Sequence, residues 1–499
     1  MRVLFVSAEV FPLAKAGGLA DVSAALPAAL VELGVDVRLL VPGYRSALAA
    51  LAEAGIGTQL SRVRFEFPGF ASAGILEARL PDSGTPLWLV DCPPLYDRPG
   101  GPYQDGMGRT WPDELERFVM LSRCADAVAT APSFWAERNW QPDIVHCNDW
   151  HTGLVCPLVR NAEQQLRDLY GERRPQSVFT IHNLAFDGTF SRGNPAAVLG
   201  LSSTALSEDG IATPRGFSLL RAGIAHADWV TTVSPTYARE IRTPQYGGEF
   251  AGLLGQRAAK LSGILNGVDY RVWNPSMDPH IAARYDVEDL SGKPACRAAL
   301  LEAFGVTGDA RGPVFGCVGR LAEQKGIDLI PEALSRALDS GCRFVLLGRG
   351  DVRIEGAIRE LALRFPGRAG ARFEFSEPLA HAVEAGSDIF LMPSRFEPCG
   401  LNQMYSMRYG TPPVVRAVGG LADSVVDTTA ANMQAGTATG FTFARPDAGA
   451  FADAIARSLA AFARADQWRA LQRTGMRQDF SWARSARQYL DLYQSLLAV

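Results

Sequence analysis

The chain has 499 residues, of which 20% are charged and 47% hydrophobic, and its formal net charge is −4. This length is too great for one hydrophobic core, so we expect at least two domains. The composition is that of an ordinary globular protein, and the small negative charge excludes a general attraction to nucleic acid or to an anionic membrane. We therefore expect neither of these partners.

The cysteines and the N-terminal segment indicate the compartment. The eight cysteines are scattered and form no Cys-x-x-Cys pair, which favours reduced thiols in a cytosolic protein. The N-terminal apolar run reaches Glu9 and Pro12 too soon for a signal peptide. No apolar stretch approaches the length of a membrane span. We expect a cytoplasmic protein.

A βαβ unit is predicted at the start of the chain, with strands at 3–6 and 37–41 and a helix at 19–33. Two glycines in the loop between the first strand and the helix allow backbone amides to approach an anion, and a lysine adds a mobile charge. The alternative is a simple tight turn. The candidate residues here are Lys15, Gly17, Gly18 and Asp21.

The segment from 95 to 151 supplies aromatic and histidine candidates. Tyr96 and Tyr103 lie in a loop rich in glycine and proline, where a ring could stack on a sugar or pack locally. After a helix at 113–130, a strand is predicted at 143–146. His151 follows that strand as a hydrogen-bonding group in a cleft. His146, Asp149 and His151 suggest a metal site, but we do not expect one, because His146 lies within the strand and should point elsewhere and no third strong ligand is spaced nearby.

The α/β pattern then finishes and begins again. Strands are predicted at 178–181 and 229–233, a helix starts at Ser234-Pro235, and a proline-rich linker follows residues 260–269. From residue 314 the order of strand, polar glycine-bearing loop and helix is repeated. This repetition predicts an α/β fold with two Rossmann-like halves facing each other across a cleft.

The second half is expected to continue to a helical tail. Strands are predicted at 344–348, 372–375 and 389–392, and helices at 448–463, 467–476 and 481–497. The expected divisions are an N-terminal domain at 1–262, a C-terminal domain at 263–480, and a last helix at 481–499 that packs back across the boundary.

The stretch from 388 to 423 carries the most informative loop. A buried strand stops at Pro393, and a polar loop with Glu397 leads through Gly400 to a helix starting at Leu401 and ending at Gly410. In open α/β sheets, a carboxylate beside a helix start at a strand's carboxyl end is well placed to bind a ligand. The alternative is an ordinary β-loop-α connection with a solvated glutamate.

Three loops of the second half together predict a nucleoside diphosphate site. Arg320 and Lys325 lie in one loop and could grip a diphosphate, and Phe375 could stack on a base. The alternatives are a surface basic pair and a core phenylalanine. The sequence has no G-x-G-x-x-G, Walker A, G-x-S-x-G or Asp-x-Asp motif. We therefore expect the leaving diphosphate to be neutralised by protein groups rather than by a metal.

At these residues the chain resembles the bacterial glycogen synthase and plant starch synthase family. The matching motifs span nearly the whole chain in order: KAGGLADV, LYDRPGGPY, HCNDWHTGL, TIHNLAFDG, TVSPTYAREI, GILNGVD, GRLAEQKGID and PSRFEPCGLNQ. The resemblance implies the GT-B architecture and a glucosyltransferase that uses ADP-glucose as donor and an α-1,4-glucan as acceptor. It also implies retention of anomeric configuration and no cofactor or metal.

The resemblance also implies roles for individual residues. Arg320 and Lys325 would hold the diphosphate, while His151 and Asn266 would contact the transferred glucose. Glu397 would act on the sugar with the backbone of the residues after it. The substrate-binding set implied in this way contains Lys15, Gly17, Gly18, Asp21, Tyr96, Asn266, Phe375, Cys399, Gly400, Leu401 and Asn402. Phe375 stands where the family usually has Tyr, and Asn402 where it usually has Thr.

Other functions are compatible with the same residues. One is a retaining transferase that moves glucose from UDP-glucose to another acceptor, and another is a catalytically inactive α-glucan-binding protein. A glucan phosphorylase shares the architecture, but the sequence has no counterpart of its pyridoxal-phosphate lysine segment. The joint presence of Lys15, His151, Arg320, Lys325 and Glu397 favours an active synthase.

Overall fold

The computed structural model describes residues 1–191, 198–199, 201, 211–213, 216–307 and 312–498. The chain forms two compact units. Unit 1 comprises Met1–Val233, Ala238–Gly267 and Trp482–Val499, and unit 2 comprises Ser234–Tyr237 and Val268–Ser481. The chain thus enters unit 2 briefly at 234–237, passes to it again at 267/268 and returns to unit 1 at 481/482.

Unit 1 is built on a large sheet. Within the described residues this sheet has nine strands in the order β12-β11-β7-β6-β1-β2-β5-β4-β3, and a small second sheet has the order β8-β10-β9. The strands are β1 Arg2–Val6, β2 Asp36–Pro42, β3 Gln59–Leu60, β4 Gly74–Arg79, β5 Pro86–Asp91, β6 Ile144–Asn148, β7 Gln176–Ile181, β8 Thr189–Phe190, β9 Ala212–Thr213, β10 Gly216–Ser218, β11 Trp229–Thr232 and β12 Leu261–Gly263.

In the large sheet the seven strands β12, β11, β7, β6, β1, β2 and β5 run parallel. The remaining strands, β4 and β3, pair antiparallel at one edge. Val3 to Val6 in β1 are fully buried, as is usual for a parallel strand covered on both faces. The strands predicted at 3–6, 37–41 and 178–181 are confirmed. The strand predicted at 143–146 instead begins at Ile144 and continues to Asn148.

Helices cover the large sheet of unit 1. The predicted helix at 19–33 is confirmed as Gly18–Glu32, and the one at 113–130 as Glu114–Thr130. The other helices are Arg45–Glu53, Pro93–Tyr96, Pro132–Arg138, Val155–Asn161, Glu163–Tyr170, Leu219–His226, Pro244–Gly247, Ala251–Gln256 and Trp482–Leu497, and Pro235–Glu240 begins in unit 2 and ends in unit 1.

The helix Trp482–Leu497 belongs to unit 1. Tyr489 and Tyr493 lie four residues apart on its buried face. The Tyr493 hydroxyl is 2.6 Å from Nδ1 of His146, whose Nε2 is 2.6 Å from the Thr180 hydroxyl. His146 is therefore occupied inside unit 1, which agrees with the prediction that it points elsewhere than His151.

Unit 2 contains a parallel sheet that, within the described residues, has six strands in the order β15-β14-β13-β16-β17-β18. This is the doubly wound order in which the first and fourth strands are neighbours. The strands are β13 Val314–Val318, β14 Arg343–Leu347, β15 Ala369–Arg372, β16 Ile389–Met392, β17 Pro413–Arg416 and β18 Phe441–Phe443.

The strand predicted at 372–375 is wrong. β15 covers Ala369–Arg372, where Gly370 pairs with Val345 of β14, so Phe373 and Phe375 lie beyond its end. The small residues Ala369, Gly370 and Ala371 hid this strand from a search for apolar runs. Close packing requires the glycine among them, because a Cβ on Gly370 would lie 2.5 Å from the Phe304 carbonyl oxygen.

The helices of unit 2 include those predicted in the tail. The expected helix from Leu401 has Leu401 as its N-cap and covers Asn402–Arg408, and Gly410 follows with φ +64°. The helices are Lys293–Ala303, Ile330–Asp339, Val352–Arg364, Glu377–Gly386, Asn402–Arg408, Gly419–Ser424, Ala430–Gln434, Ala448–Phe462 and Ala465–Met476. Among the described residues of both units, no helix is long and apolar enough to cross a membrane.

Candidate functional site

The candidate residues lie at one kind of position in each unit. In unit 1 the loops with Lys15 and His151 follow the neighbouring strands β1 and β6. In unit 2 the loops with Lys325 and Glu397 follow the neighbouring strands β13 and β16. Both pairs flank the point where the strand order reverses, which is where open α/β sheets bind ligands. We call them the unit 1 half-site and the unit 2 half-site and describe each by itself.

The loop after β1 is organised around the buried side chain of Glu9. Its Oε2 accepts hydrogen bonds from the backbone N–H groups of Ala16 at 2.7 Å and Gly17 at 2.9 Å. Its Oε1 accepts a hydrogen bond from the Tyr103 hydroxyl at 2.5 Å. Glu9 is only 3% exposed, and these donors replace the water that it loses on burial. Glu9 thus fixes the path of the loop that carries Lys15.

This arrangement changes the expected role of the two glycines. The Gly17 amide was expected to approach an external anion, but it is already donated to Glu9. Gly18 begins the helix Gly18–Glu32, and no acceptor for its N–H is found among the described residues. Lys15 Nζ lies 2.7 Å from Oδ1 of Asp21 in a half-exposed ion pair. Such pairs contribute little, so Lys15 can turn to an anionic ligand at small cost.

The aromatic residue that reaches the unit 1 half-site is Tyr103. Its ring stacks on His151 with centroids 5.2 Å apart and an interplanar angle of 28°. The structure contradicts the role expected for Tyr96 as a ring that stacks on a sugar. It is 1% exposed, and its hydroxyl donates to the Arg117 carbonyl at 2.5 Å. A ring buried in this way is not available to stack on a sugar.

His151 lies in a short 3-10 turn after β6, Trp150–Thr152. It is 4% exposed and packs against Trp150 and the edge of Phe118. Burial lowers its pKa well below the usual range, and His182 acts in the same direction, so the imidazole is neutral at neutral pH. Its Nδ1 is buried without a hydrogen-bond partner among the described residues.

Asp149, which precedes this turn, has an unusual backbone and an unusual charge state. Its φ of 60° and ψ of 178° are costly for a residue with a side chain. Burial raises the pKa of its carboxyl to about 8, and the backbone N–H of Trp150 opposes this shift. Its Oδ1 is buried and unpaired within the described part of the chain. Backbone strain of this kind clusters at functional sites, and a buried oxygen without a partner requires an explanation such as a functional role.

Asn266 follows β12, at the end of the large sheet and three strands from β6. It is 7% exposed, and its Oδ1 is buried without a hydrogen-bond partner in the described residues. Unit 1 therefore does not bring Asn266 next to His151 along the sheet edge. Each of the two residues has its own buried polar atom without a partner in the described residues.

In the unit 2 half-site, an ion pair joins the two loops. Lys325 Nζ lies 2.6 Å from Oε2 of Glu397, and the same oxygen accepts a hydrogen bond from the Ser394 hydroxyl at 3.0 Å. Glu397 is 5% exposed. No donor reaches its Oε1 within the described ranges, so one carboxylate oxygen is held and the other is open to a ligand hydroxyl.

Three glycines let the surrounding backbone approach these loops. Gly326 has φ +64°, and a Cβ there would lie 2.0 Å from the Pro393 carbonyl oxygen. A Cβ on Gly419 would lie 1.9 Å from the carbonyl oxygen of Glu397, and one on Gly420 would lie 2.0 Å from that of Cys399. Any larger residue at these places would therefore move Lys325 or Glu397.

Arg320 and Phe375 are exposed at the same edge. Arg320 follows β13, and its guanidinium has no ion-pair partner among the described residues. Phe375 is 74% exposed, which rules out the alternative that it belongs to the core. A free guanidinium suits a phosphate, and an exposed ring suits a base.

The loop after Glu397 ends in a helix start. Gly400 has φ +70°, and Cys399 is buried beneath it. The backbone N–H groups of Leu401 and Asn402 have no acceptor within the described residues. The Asn402 side chain donates to the Val318 carbonyl at 2.8 Å, so it ties this helix start to the end of β13. At this helix start, the backbone N–H groups of Leu401 and Asn402 therefore remain available to a phosphate.

No group of three His, Cys, Asp or Glu side chains that could hold a metal ion is found in the described part of the chain. The two glutamates of the half-sites each bond to other protein groups and are not clustered with further acidic side chains. Glu397 is paired with Lys325, and Glu9 with backbone amides and a tyrosine hydroxyl.

Sequence reasoning did not identify Glu9 or Asp149 and preferred Tyr96 to Tyr103. A weak signal was present for Glu9, because it is an acidic residue directly after a buried strand. Asp149 precedes His151 in the HCNDWHTGL motif and was considered only as a metal ligand. Tyr103 could not be separated from Tyr96 because both lie in the same glycine-rich loop.

The comparisons with known proteins agree with this architecture. The starch synthase catalytic domain family matches residues 2–256, and the glycosyl transferases group 1 family matches residues 312–461. The chain is 48% identical over 501 residues to a glycogen synthase of Thioalkalivibrio sulfidiphilus, covering 100% of both chains. It is 46% identical to a glycogen synthase of Paramagnetospirillum magneticum, covering 99% of this chain and 98% of the other.

Solved structures give the same result. The catalytic domain of starch synthase IV from Arabidopsis thaliana, bound to ADP and acarbose, is 32% identical with a TM-score of 0.84, covering 100% of this chain and 99% of that one. A sucrose-phosphate synthase from Thermosynechococcus elongatus, 21% identical with a TM-score of 0.58 and coverages of 100% and 99%, shares the fold. The chain therefore belongs to the glycogen and starch synthase family of glycosyltransferases, which has the GT-B fold.

Proposed function

We propose that the chain is an ADP-glucose-dependent glycogen synthase acting in the cytoplasm. It transfers glucose to the non-reducing 4-hydroxyl of an α-1,4-glucan, with retention of the anomeric configuration. The family membership supports glucan synthesis, and the ADP in the related starch synthase structure supports an adenine nucleotide as donor carrier.

The observation that carries the proposal is the Lys325–Glu397 pair at the point of strand reversal in unit 2. A cation at this place can hold a diphosphate, and the open Oε1 of Glu397 can accept hydrogen bonds from glucose hydroxyls. The contact between Lys325 and Glu397 therefore lies where the diphosphate of a nucleotide sugar would meet its glucose. The exposed Phe375 ring supplies a surface for the base at the same edge.

Departure of the nucleotide leaves negative charge on the β-phosphate. We assign its stabilisation to Arg320, Lys325 and the backbone N–H groups of Leu401 and Asn402. These groups are in place before the reaction, and fixed donors aimed at developing charge are the strongest source of electrostatic catalysis. Arginine presents two parallel N–H groups to a phosphate, whereas lysine acts as a point charge.

We assign the acceptor side to unit 1 and the donor side to unit 2. The proposed division is 1–262 for the acceptor domain and 263–480 for the donor domain, with 481–499 returning to the first. Lys15 would approach the donor phosphate. His151 is neutral and buried, so it can hydrogen-bond a glucose hydroxyl without adding charge to the site.

In the proposed reaction, the acceptor 4-hydroxyl attacks the anomeric carbon on the face that the nucleotide leaves. The C–O bond to the β-phosphate breaks, the new C–O bond forms, and the departing phosphate takes the hydroxyl proton. No protein nucleophile is assigned, because Lys325 and Ser394 engage Oε2 of Glu397 and its Oε1 is assigned to the glucose hydroxyls. Trapping a glucosyl adduct on any side chain would contradict this mechanism.

The test measures glucose incorporation into glycogen from ADP-glucose and from UDP-glucose, with and without EDTA. We expect incorporation from ADP-glucose that EDTA does not reduce, and a product that an α-1,4-specific glucosidase digests. Preference for UDP-glucose would contradict the donor assignment. Binding of glucan without turnover of either donor would identify an inactive glucan-binding protein.

A further inference from the structure

We propose that Arg349 binds the ribose hydroxyls of the donor nucleotide. The inference rests on the proposed function and deepens it, because it concerns a part of the donor that Arg320, Lys325 and Glu397 do not reach. Arg349 directly follows β14 and is exposed. Nothing in the family motifs quoted above includes it.

The order of the strands places Arg349 between the proposed diphosphate and base positions. Along the carboxyl edge of the sheet, Phe375 comes after β15, Arg349 after β14, Arg320 after β13 and Glu397 after β16. Neighbouring strands are about 4.8 Å apart. A nucleotide sugar laid along this row has its glucose at β16, its diphosphate at β13 and its base at β15. The ribose then lies at the end of β14.

The backbone at Arg349 is held in place by the segment that follows β13. The Leu321 N–H donates to the Arg349 carbonyl at 3.0 Å, and Leu321 and Gly350 form a parallel bridge beyond the two strands. A Cβ on Gly350 would lie 2.2 Å from the Leu321 carbonyl oxygen. The Arg349 side chain therefore starts from a fixed position beside the loop that carries Arg320.

The two acidic residues that follow this strand most closely, Asp351 and Glu355, are already occupied. In sheets with this strand order, a carboxylate associated with the second strand usually binds the ribose hydroxyls. Here both oxygens of Asp351 are held by Arg353, at 2.8 Å from its backbone N–H and 2.8 Å from its guanidinium. Glu355 accepts from the Gly350 N–H at 3.2 Å and from Arg359 at 3.0 Å.

Among the described residues between β14 and the helix Val352–Arg364, Arg349 is a polar side chain available to the ribose. It has no hydrogen-bond or ion-pair partner among the described residues, and its guanidinium can donate N–H groups to hydroxyl oxygens. The ribose is distant from the bond that breaks. Loss of Arg349 should therefore weaken nucleotide binding and raise the KM for the donor while leaving kcat unchanged.

The experiment titrates the full-length protein with ADP and with 2′,3′-dideoxy-ADP by calorimetry. The variants are Arg349→Ala and the matched control Arg364→Ala. The control removes an exposed arginine from the last turn of the helix Val352–Arg364, at the end of that helix away from Arg349. Arg349→Gln keeps most of the side-chain length and replaces Arg349→Ala if that variant does not fold.

We expect Arg349→Ala to weaken ADP binding about ten-fold, the size of one hydrogen bond to a charged group. Binding of dideoxy-ADP should be unchanged, and Arg364→Ala should bind both ligands like the wild type. Equal ADP affinity in wild type and Arg349→Ala would overturn the proposal. Equal weakening for both ligands would also overturn it, since the contact would then be to phosphate. If the wild type itself bound no ADP, the proposed donor would fail as well.

Discussion

Lys325 Nζ lies 2.6 Å from Glu397 Oε2, although the two residues are 72 positions apart in the chain. The contact joins the loops after β13 and β16, the two strands between which the order of the sheet reverses. Glu397 is nearly fully buried and Lys325 is about a quarter exposed. Each residue therefore positions the other, and a change in one alters the environment of both.

This pair leads to a prediction about coupled loss of activity. Glu397→Gln and Lys325→Met should each lower kcat/KM for glucose transfer by about ten- to a hundred-fold, the effect of losing a hydrogen bond to a charged group. The double variant should lose less than the product of the two factors, because both single changes break the same contact. Initial rates with ADP-glucose and glycogen measure all three.

Glu377→Gln is the control for these variants, since it removes an exposed carboxylate from a helix start in the same unit. Its kcat/KM should equal that of the wild type. Strictly multiplicative losses for Glu397→Gln and Lys325→Met would show that the two side chains act independently on the substrate.

Arg320→Lys gives a second prediction, which concerns geometry rather than charge. Lysine keeps the positive charge but loses the two parallel N–H donors that match a phosphate, so kcat/KM should fall about ten-fold or more. Arg336→Lys, on an exposed face of the helix Ile330–Asp339, is the control. Unchanged kinetics for Arg320→Lys would place this arginine off the diphosphate.

The buried parallel strands could be predicted from the sequence because each is a short apolar run followed by polar residues and glycine. β1, β7, β13 and β16 all have this form. β15 does not, because it consists largely of glycine and alanine, and its Gly370 is required by close packing against Phe304. The strand was therefore assigned to the more apolar residues that follow it.

The candidate site was predictable where one loop carries several functional groups, as with Arg320 and Lys325. It was not predictable where the decisive contact joins distant segments. Tyr103 reaches Glu9 across 94 residues, whereas Tyr96 turns inward to Arg117. The local sequence around the two tyrosines contains no information about which partner each one meets.

Glu9 provides a third prediction, as a positioning residue for the Lys15 loop. Glu9→Gln replaces one acceptor oxygen with an amide donor, so either the Ala16 and Gly17 amides or the Tyr103 hydroxyl loses its acceptor. We expect kcat/KM to fall about ten-fold because Lys15 is displaced, with the larger change in the KM for ADP-glucose. Steady-state kinetics with the donor varied provide the measurement.

Tyr103→Phe separates the two sides of Glu9. It removes only the bond to Oε1 and leaves the bonds from the loop amides to Oε2 in place. The donor KM should therefore change less than in Glu9→Gln. If Tyr103→Phe raised the donor KM as much as Glu9→Gln, the effect of Glu9 would not pass through the Lys15 loop.

The last prediction concerns the pH dependence of stability at Asp149. Its folded pKa of about 8 lies above the ordinary value of 3.8, so between these pH values the unfolded chain has lost a proton that the folded chain keeps. The free energy of unfolding should fall as the pH rises from about 4 to 8, by at most about 1.4 kcal/mol per pH unit from this group. Asp149→Asn has no proton to lose and keeps the size of the side chain, so it removes this contribution. Thermal unfolding of both proteins from pH 5 to 9 should show the variant gaining on the wild type as the pH rises to 8, with a constant difference above it. A difference independent of pH across this range would mean that Asp149 is ionised in the folded protein.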